Sequence, residues 1–187
     1  METVTIAEAG QSLLRALHVR TVFGAVDGWL QTSPVLRTLD DLNAVARDFL
    51  VLHEPHGTFP SVRLRGGRLA LNKASVLFVT EREDRTPTRT SSIYVGLFSR
   101  AAVALWIGEY QVSGFVHVPR GGAPLSRLNQ LAQPFLAVTS ASVTGPGCEF
   151  SYPFLAVNRA LIVAAEDLLP DEDSVAALSF DEVGPTP

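Results

Sequence analysis

Apolar side chains alternate with polar or small ones in several short runs along this chain. Alternation with a period of two predicts strands that bury one face of a sheet, and the β-branched and aromatic residues in these runs favour the same conformation. Turn-forming residues such as Gly57, Gly66 and Gly67 separate the runs at short intervals. The pattern predicts a mainly antiparallel β fold, with strands over residues 19–30, 49–53, 76–79, 109–118, 135–142 and 162–164 and two more strands that end at Asn72 and Asn158.

A smaller part of the chain has helical spacing. Leucines in the N-terminal segment predict a helix over residues 6–17. Two short helical turns are expected over residues 38–46 and 125–132, each after a loop that contains proline. Helices this short are stable only when they pack against other elements. Apolar runs at residues 93–98 and 102–107 predict two further strands, separated by a turn.

Two blocks of sequence recur at one spacing. Leu42 begins the segment LNAVARDFLVL and Leu128 begins LNQLAQPFLAV, a separation of 128 − 42 = 86 residues. The same separation relates LALNKASVLFV, which begins at Leu69, to LAVNRALIVAA, which begins at Leu155. Two blocks at one ungapped spacing indicate an internal repeat. Upstream of these blocks, FGAVDG and SGFVHV align only when the spacing is changed to 90 residues, so the upstream edge of the repeat stays open.

The repeat predicts a chain of two related units. We expect an N-terminal helix in residues 1–18, a first unit in residues 19–90, a second unit in residues 91–168 and an acidic tail in residues 169–187. Two small barrel or sandwich units can close around a pseudo-twofold axis, and each then covers the open sheet edge of the other. The predicted fold class is therefore mainly β, with duplicated antiparallel small-barrel or sandwich units fused into one body.

Each unit keeps a polar pair inside an apolar run. Asn72 precedes Lys73 in the first unit, and Asn158 precedes Arg159 in the second. One interpretation is structural: asparagine tolerates the backbone angles of a tight turn or 3₁₀ step, and the long basic side chain reaches out to solvent. The other interpretation is a pair of related ligand contacts. We favour the structural interpretation.

These segments carry a resemblance to a known family. A strand, a short helix, two strands, a turn with asparagine and a basic residue, and a final apolar strand resemble the Sm-like, or Hfq-like, small β-barrels. The matching segments are residues 69–76 (LALNKASV) and 154–162 (FLAVNRALI). Sm-like chains place their helix at the N-terminus, whereas the helical turn here lies inside each unit. The resemblance implies a small barrel in each repeat and binding of single-stranded nucleic acid.

Composition narrows the class of protein. Of 187 residues, 47% are hydrophobic and 18% are charged, which provides a core and excludes a disordered chain. A mean hydropathy of +0.21 leaves apolar surface for a partner. The net charge of −4 argues against nucleic-acid binding through bulk charge. A single cysteine, no secretory leader and no long apolar run predict a cytoplasmic protein without membrane insertion.

The charges are separated along the sequence. Residues 62–89 carry seven basic and three acidic side chains, whereas residues 166–187 carry seven acidic side chains and no lysine or arginine. We therefore predict a basic edge that binds an acidic surface of a partner, with the chain's own acidic tail as a competitor. The residues of this basic edge are Arg63, Arg65, Arg68 and Lys73.

One group of side chains is capable of binding a metal. His53, Glu54 and His56 include the ligand types of zinc. Adjacent strand residues point to opposite faces, and Pro55 distorts the local geometry. The second unit has Thr139 and Ser140 at the corresponding positions. We therefore expect a strand end or turn here, with no metal and no other cofactor.

The sequence shows no pairing of a nucleophile with a base, so we expect a protein that is not an enzyme. The favoured function is an interaction or scaffold module that docks on another protein or on itself. A free sheet edge at residues 92–98 is a candidate surface for homo-oligomers. Two alternatives stay open: single-stranded nucleic-acid binding by an Sm-like barrel, although residues 62–89 offer a single aromatic side chain, Phe78, and small-ligand or metal binding between the repeats.

Overall fold

The computed structural model describes residues 12–58, 64, 66–82 and 98–168. These residues form ten strands, two short α-helices and two 3₁₀ turns. The strands of the first half are β1 (Leu13–Thr21), β2 (Gly24–Thr32), β3 (Phe49–Thr58), β4 (Arg68–Asn72) and β5 (Val76–Glu81). The strands of the second half are β6 (Phe98–Ile107), β7 (Tyr110–Pro119), β8 (Phe135–Gly145), β9 (Cys148–Asn158) and β10 (Ile162–Asp167).

The helices and 3₁₀ turns lie at equivalent places in the two halves. Helix α1 (Thr38–Leu42) precedes β3, and helix α2 (Pro124–Gln130) precedes β8. A first 3₁₀ turn (Lys73–Ser75) joins β4 to β5, and a second (Arg159–Leu161) joins β9 to β10. The predicted helical turns and the predicted steps after Asn72 and Asn158 are therefore confirmed.

All ten strands belong to one antiparallel sheet. Their order across the sheet is β10-β6-β7-β8-β9-β5-β1-β2-β3-β4. The predicted mainly antiparallel β fold is therefore confirmed. The sheet is open, with β10 at one end and β4 at the other, so the predicted closed barrels are not confirmed. A pseudo-twofold axis would require β10 to pair with β4 as β5 pairs with β9. Among the described strands, the pairings include β5 with β9 and not β10 with β4, so the twofold arrangement is not confirmed either.

Two hydrophobic cores lie on this sheet, and they share strand β5. Val76 and Val79 of β5 belong to the core of the first half, whereas Leu77 and Phe78 belong to the core of the second half. Phe135 of β8 and Ala156 of β9 are buried in the core of the first half. Each half therefore completes its core with side chains of the other.

Two local predictions for the N-terminal region are wrong. Residues 13–17, expected in a helix, begin strand β1, where Leu17 and Val19 are buried on one face with the period of a strand; residues 1–11 of that predicted helix lie outside the described residues. The strand predicted over residues 19–30 is two strands, β1 and β2, joined by a tight turn. The hydroxyl of Thr21 stabilises this turn, because it accepts from the amide of Phe23 (3.1 Å) and donates to the carbonyl of Gly24 (2.9 Å).

Two predicted turns are strands as well. Ser99 and Arg100 lie within β6, and Gly57 lies within β3. Strand β6 runs between β10 and β7. Phe98, the one described residue of the candidate oligomer edge at residues 92–98, pairs with Pro119 of β7, and the pairing of β6 with β10 begins at Val103; residues 92–97 lie outside the described residues.

A β-bulge occurs at the same place in each half. The pairing of β2 with β3 shifts between Asp27 and Trp29, and the pairing of β7 with β8 shifts between Ser113 and Phe115, 86 residues later. Gly28 and Gly114 lie opposite the bulges, where a Cβ would come 3.0 Å from Leu52 Cβ and 2.6 Å from Val138 Cγ1 respectively. The spacing of 86 residues thus extends upstream, where the sequence aligned only at 90.

We expect Gly114→Ala to lower the free energy of unfolding by about 1–3 kcal/mol, because the added methyl group overpacks the space beside Val138. Gly67→Ala is the matched control, since a Cβ there meets no heavy atom within 4 Å. Urea unfolding of both variants measures the difference. Equal stability of the two variants would show that Gly114 is not required for close approach of the strands.

Candidate functional site

The two halves of the chain meet where β5 pairs with β9, a contact that we call the central junction. Phe78 lies opposite Val157, and Val79 lies opposite Ala156. The hydroxyl of Thr80 donates to the carbonyl oxygen of Phe154 at 2.8 Å. Backbone pairing is therefore extended by a side-chain hydrogen bond at this junction.

Asn158 is buried at the central junction and binds both halves. Its Nδ2 donates to the carbonyl oxygens of Lys73 (3.0 Å) and Val76 (2.8 Å), and its Oδ1 accepts from the amide of Ala160 (3.1 Å). Asn72 makes the equivalent cap to the amide of Ala74 at 2.9 Å, but its side chain is exposed. The polar pairs of the two halves therefore share a turn-forming role, and Asn158 adds a link between the halves.

A second polar link crosses the junction from helix α1. Asn43, directly after that helix, donates through Nδ2 to the carbonyl oxygen of Phe135 (3.1 Å) and accepts from the Phe135 amide through Oδ1 (2.8 Å). The side chain thus satisfies both backbone groups of one β8 residue. Such reciprocal bonding fixes where β8 lies against the first half.

Two of the four residues of the predicted basic edge lie within the described ranges, and these two differ in exposure. Arg68 is exposed in β4, whereas Arg63 and Arg65 lie outside the described residues. Lys73 is 8% exposed, and its Nζ donates to the carbonyl oxygens of Asp41 (3.1 Å) and Ala44 (3.2 Å). The prediction that Lys73 belongs to an exposed binding edge is therefore wrong. The prediction that its side chain reaches out to solvent is wrong as well, because its ammonium group donates to carbonyl groups at the end of α1.

Burial is the main cause that lowers the pKa of Lys73 below its usual range; the nearby charge of Arg47 acts in the same direction, and Asp41 and Asp48 oppose it. Arg159 occupies the equivalent place in the second half, where it is partly buried and its Nη1 donates to the carbonyl oxygen of Leu128 at 3.2 Å. Both basic residues therefore tie a 3₁₀ turn to the helix of their own half.

The metal candidates lie at the bulge of β3. His53 lies opposite Trp29, and Glu54 has a left-handed backbone with a φ of 47°. His56 is exposed, and its Nδ1 lies 3.3 Å from the carbonyl oxygen of Glu54. Within the described ranges, no three histidine, cysteine, aspartate or glutamate side chains are arranged to hold a metal ion.

The structure brings together four ionisable side chains that the sequence pattern did not place near one another. Asp27 Oδ1 lies 2.8 Å from His18 Nδ1, and Asp27 Oδ2 lies 3.8 Å from His56 Nε2 and 3.5 Å from Arg82 Nη1. We call these four residues the Asp27 cluster. Its members are far apart in sequence, and the signal that would have paired His18 with Asp27 is the register of the β1–β2 hairpin.

A cleft of about 510 Å³ adjoins the Asp27 cluster. His18, Asp27 and Arg82 line one side, and the aromatic side chains of Phe150 and Tyr152, from the β8–β9 hairpin, line the other. Both carboxylate oxygens of Asp27 already have partners in the same chain. The cluster joins β1 to β2 through the His18–Asp27 hydrogen bond, and it joins β2 to Arg82, directly after β5, through an ion pair.

A second cleft, of about 740 Å³, lies between the β1–β2 turn and the β6–β7 turn. Arg20 reaches across it to the second half: it donates to the hydroxyl of Tyr110, lies 5.0 Å from the centre of that ring and lies 3.9 Å from Glu109 Oε1. Burial is the main cause that raises the pKa of Tyr110 above 10; Glu109 adds to the rise and Arg20 opposes it. Arg20 is thus a further link between the halves.

No known protein family, curated protein or solved structure matches this chain. Neither helix of the described residues has the length and apolar composition needed to cross a membrane.

We expect Asn158→Ala to lower the free energy of unfolding by about 2–3 kcal/mol, because it leaves the buried carbonyl groups of Lys73 and Val76 without their donor. Asn72→Ala is the matched control, since it removes a cap of the same kind at an exposed site and should cost about 1 kcal/mol or less. Chemical denaturation of the two variants measures both values. Equal losses would contradict a linking role for Asn158.

We expect the alkaline loss of stability to depend on Tyr110. Its pKa is raised in the folded protein, whereas the unfolded phenol ionises near its ordinary value of about 10. Its contribution is therefore fully present below that pH and falls as the pH rises through the folded-state pKa. Tyr110→Phe should reduce the drop in unfolding free energy between about pH 8 and about pH 11; an unchanged drop would exclude Tyr110 as its cause.

Proposed function

We propose that this protein is a non-enzymatic cytoplasmic interaction or scaffold module built from two copies of one five-strand unit. The strand order β5-β1-β2-β3-β4 of the first half reappears as β10-β6-β7-β8-β9 in the second. The bulges, the helices and the 3₁₀ turns recur with it. An internal duplication explains both this recurrence of the strand order and the sequence spacing of 86 residues. The turn at an asparagine before the last strand of the unit supports the proposed resemblance to Sm-like folds.

The observation that carries the proposed function is the exposure of the apolar end strand β10. Leu77 and Phe78 of β5 are 4% and 3% exposed. The residues 86 positions later, on β10, are Val163, which is 80% exposed, and Ala164, which is also exposed. In the described part of the chain, β10 pairs with β6 on one side and with no strand on the other. An unpaired strand edge with apolar side chains favours the addition of a strand from another protein molecule.

The alternative functions gain less support from the geometry. Arg20 and Arg100 already lie over the rings of Tyr110 and Phe115 of the same chain, and Lys73 is buried, so these groups are engaged without nucleic acid. The Asp27 cluster satisfies its own charges beside the smaller cleft. Docking through the end strands therefore remains the proposed function.

We expect a photo-crosslinking amino acid in place of Val163 to form protein adducts in the native cell, because the partner strand would lie against β10. The same amino acid in place of Val45 is the matched control, since that valine is 87% exposed in the loop after α1. The measurement is the mass of adducts on denaturing gels, followed by identification of the attached chain. Absence of a Val163-specific adduct would overturn the proposed docking function.

A further inference from the structure

We propose that β4 of a second copy of this chain is the strand that docks on β10, so that copies join head to tail in the register of the central junction. This inference rests on the proposed function and names its partner. Strand β10 is the second-half counterpart of β5, and β4 is the first-half counterpart of β9. Among the described strands, the two ends of the sheet therefore present the two sides of a contact that the chain already makes once within itself.

Side chains buried at the central junction have exposed counterparts at the ends of the sheet. On β9, Ala156 and Asn158 are buried, whereas the corresponding Ala70 and Asn72 of β4 are exposed. The same contrast holds on the third strand of each half. Phe135 is 1% exposed in the core across the junction, whereas Phe49, 86 residues earlier, is 52% exposed. A second copy seated on β4 would cover this apolar surface.

The hydrogen-bonding groups of the central junction also have exposed equivalents at the ends of the sheet. Asn158 donates across the junction to the carbonyl groups of Lys73 and Val76. In the proposed contact, Asn72 would donate to the carbonyl groups of Arg159 and Ile162 of the second copy. The Asn43–Phe135 exchange would reappear between Asn129 of one copy and Phe49 of the other, and both of these side chains are exposed.

Charge favours the pairing of unlike ends over the pairing of like ends. The central register places Phe78 opposite Val157 and Val79 opposite Ala156. The same register between copies places Ala164 opposite Leu71, and its antiparallel continuation places Asp167 opposite Arg68. Exposed Glu166 adds a second negative charge to β10. Contacts between two β10 strands would bring acidic side chains together, which disfavours them.

A contact between unlike ends has a consequence for symmetry. Each copy offers one β10 and one β4, so the contact leaves a free end at each side of a pair. Repetition of such a heterologous contact gives a closed ring or an open filament rather than a twofold dimer. The proposed assembly is therefore a chain of repeats in which the internal and intermolecular junctions alternate.

The test measures the mass of the full-length protein in solution by light scattering at low ionic strength over a range of concentrations. We expect assemblies whose masses are multiples of 20.1 kDa. Arg68→Asp and Asp167→Arg should each weaken assembly by about tenfold or more. The double variant with both substitutions should restore it, because the opposite charges again face each other. Arg120→Asp, in the exposed turn after β7, is the matched control and should leave the mass unchanged.

Circular dichroism establishes that each variant is folded. Val163→Lys supplies a second disruption, at a side chain of β10 that is 80% exposed. A monomer at every concentration would overturn the inference, as would single charge reversals that leave assembly intact or a double variant that stays dissociated. A monomer whose Val163 position still crosslinks to a different protein would overturn the second-copy partner and leave the docking function standing. A monomer without such an adduct would overturn both.

Discussion

The structure depends on the pairing of β5 with β9. Both faces of β5 are covered, because Val76 and Val79 are buried in one core and Leu77 and Phe78 are buried in the other. A strand that serves two cores cannot shift by one residue without exchanging the side chains of both, so its register is strongly determined. This constraint makes one continuous sheet out of two five-strand halves and fixes which strands are left at its ends.

Polar side chains reinforce that constraint where the backbone alone would not. Asn158 and Asn43 each satisfy two or more backbone groups, and each joins one half of the chain to the other. Arg20 makes a further link through Tyr110. Buried polar groups are costly unless they are satisfied, so these contacts select one arrangement of the halves among those that apolar burial would tolerate. Burial of apolar side chains stabilises the fold, and the hydrogen bonds of the two asparagines determine how the two halves are placed against each other.

The sequence predicted the features that depend on local pattern. The strand-rich fold, both helical turns and the steps after Asn72 and Asn158 follow from side-chain periodicity and from the turn preference of asparagine. The β1–β2 hairpin was missed because a threonine hydroxyl, rather than glycine or proline at the tip, closes its turn. The Asp27 cluster and the burial of Lys73 depend on register and on packing between distant segments, which composition and spacing do not encode. The open sheet was missed for the same reason, since closure depends on curvature rather than on pattern.

The sharing of core residues also has a consequence for the order of folding during synthesis. Phe135 and Ala156 complete the core of the first half, yet they follow Glu81, the last residue of β5, by 135 − 81 = 54 and 156 − 81 = 75 residues. The first half therefore emerges with an unfilled space in its core, whereas the second half finds Leu77 and Phe78 already present. The core of the first half is therefore complete only after β8 and β9 have been synthesised, and until then part of its apolar surface lacks its cover.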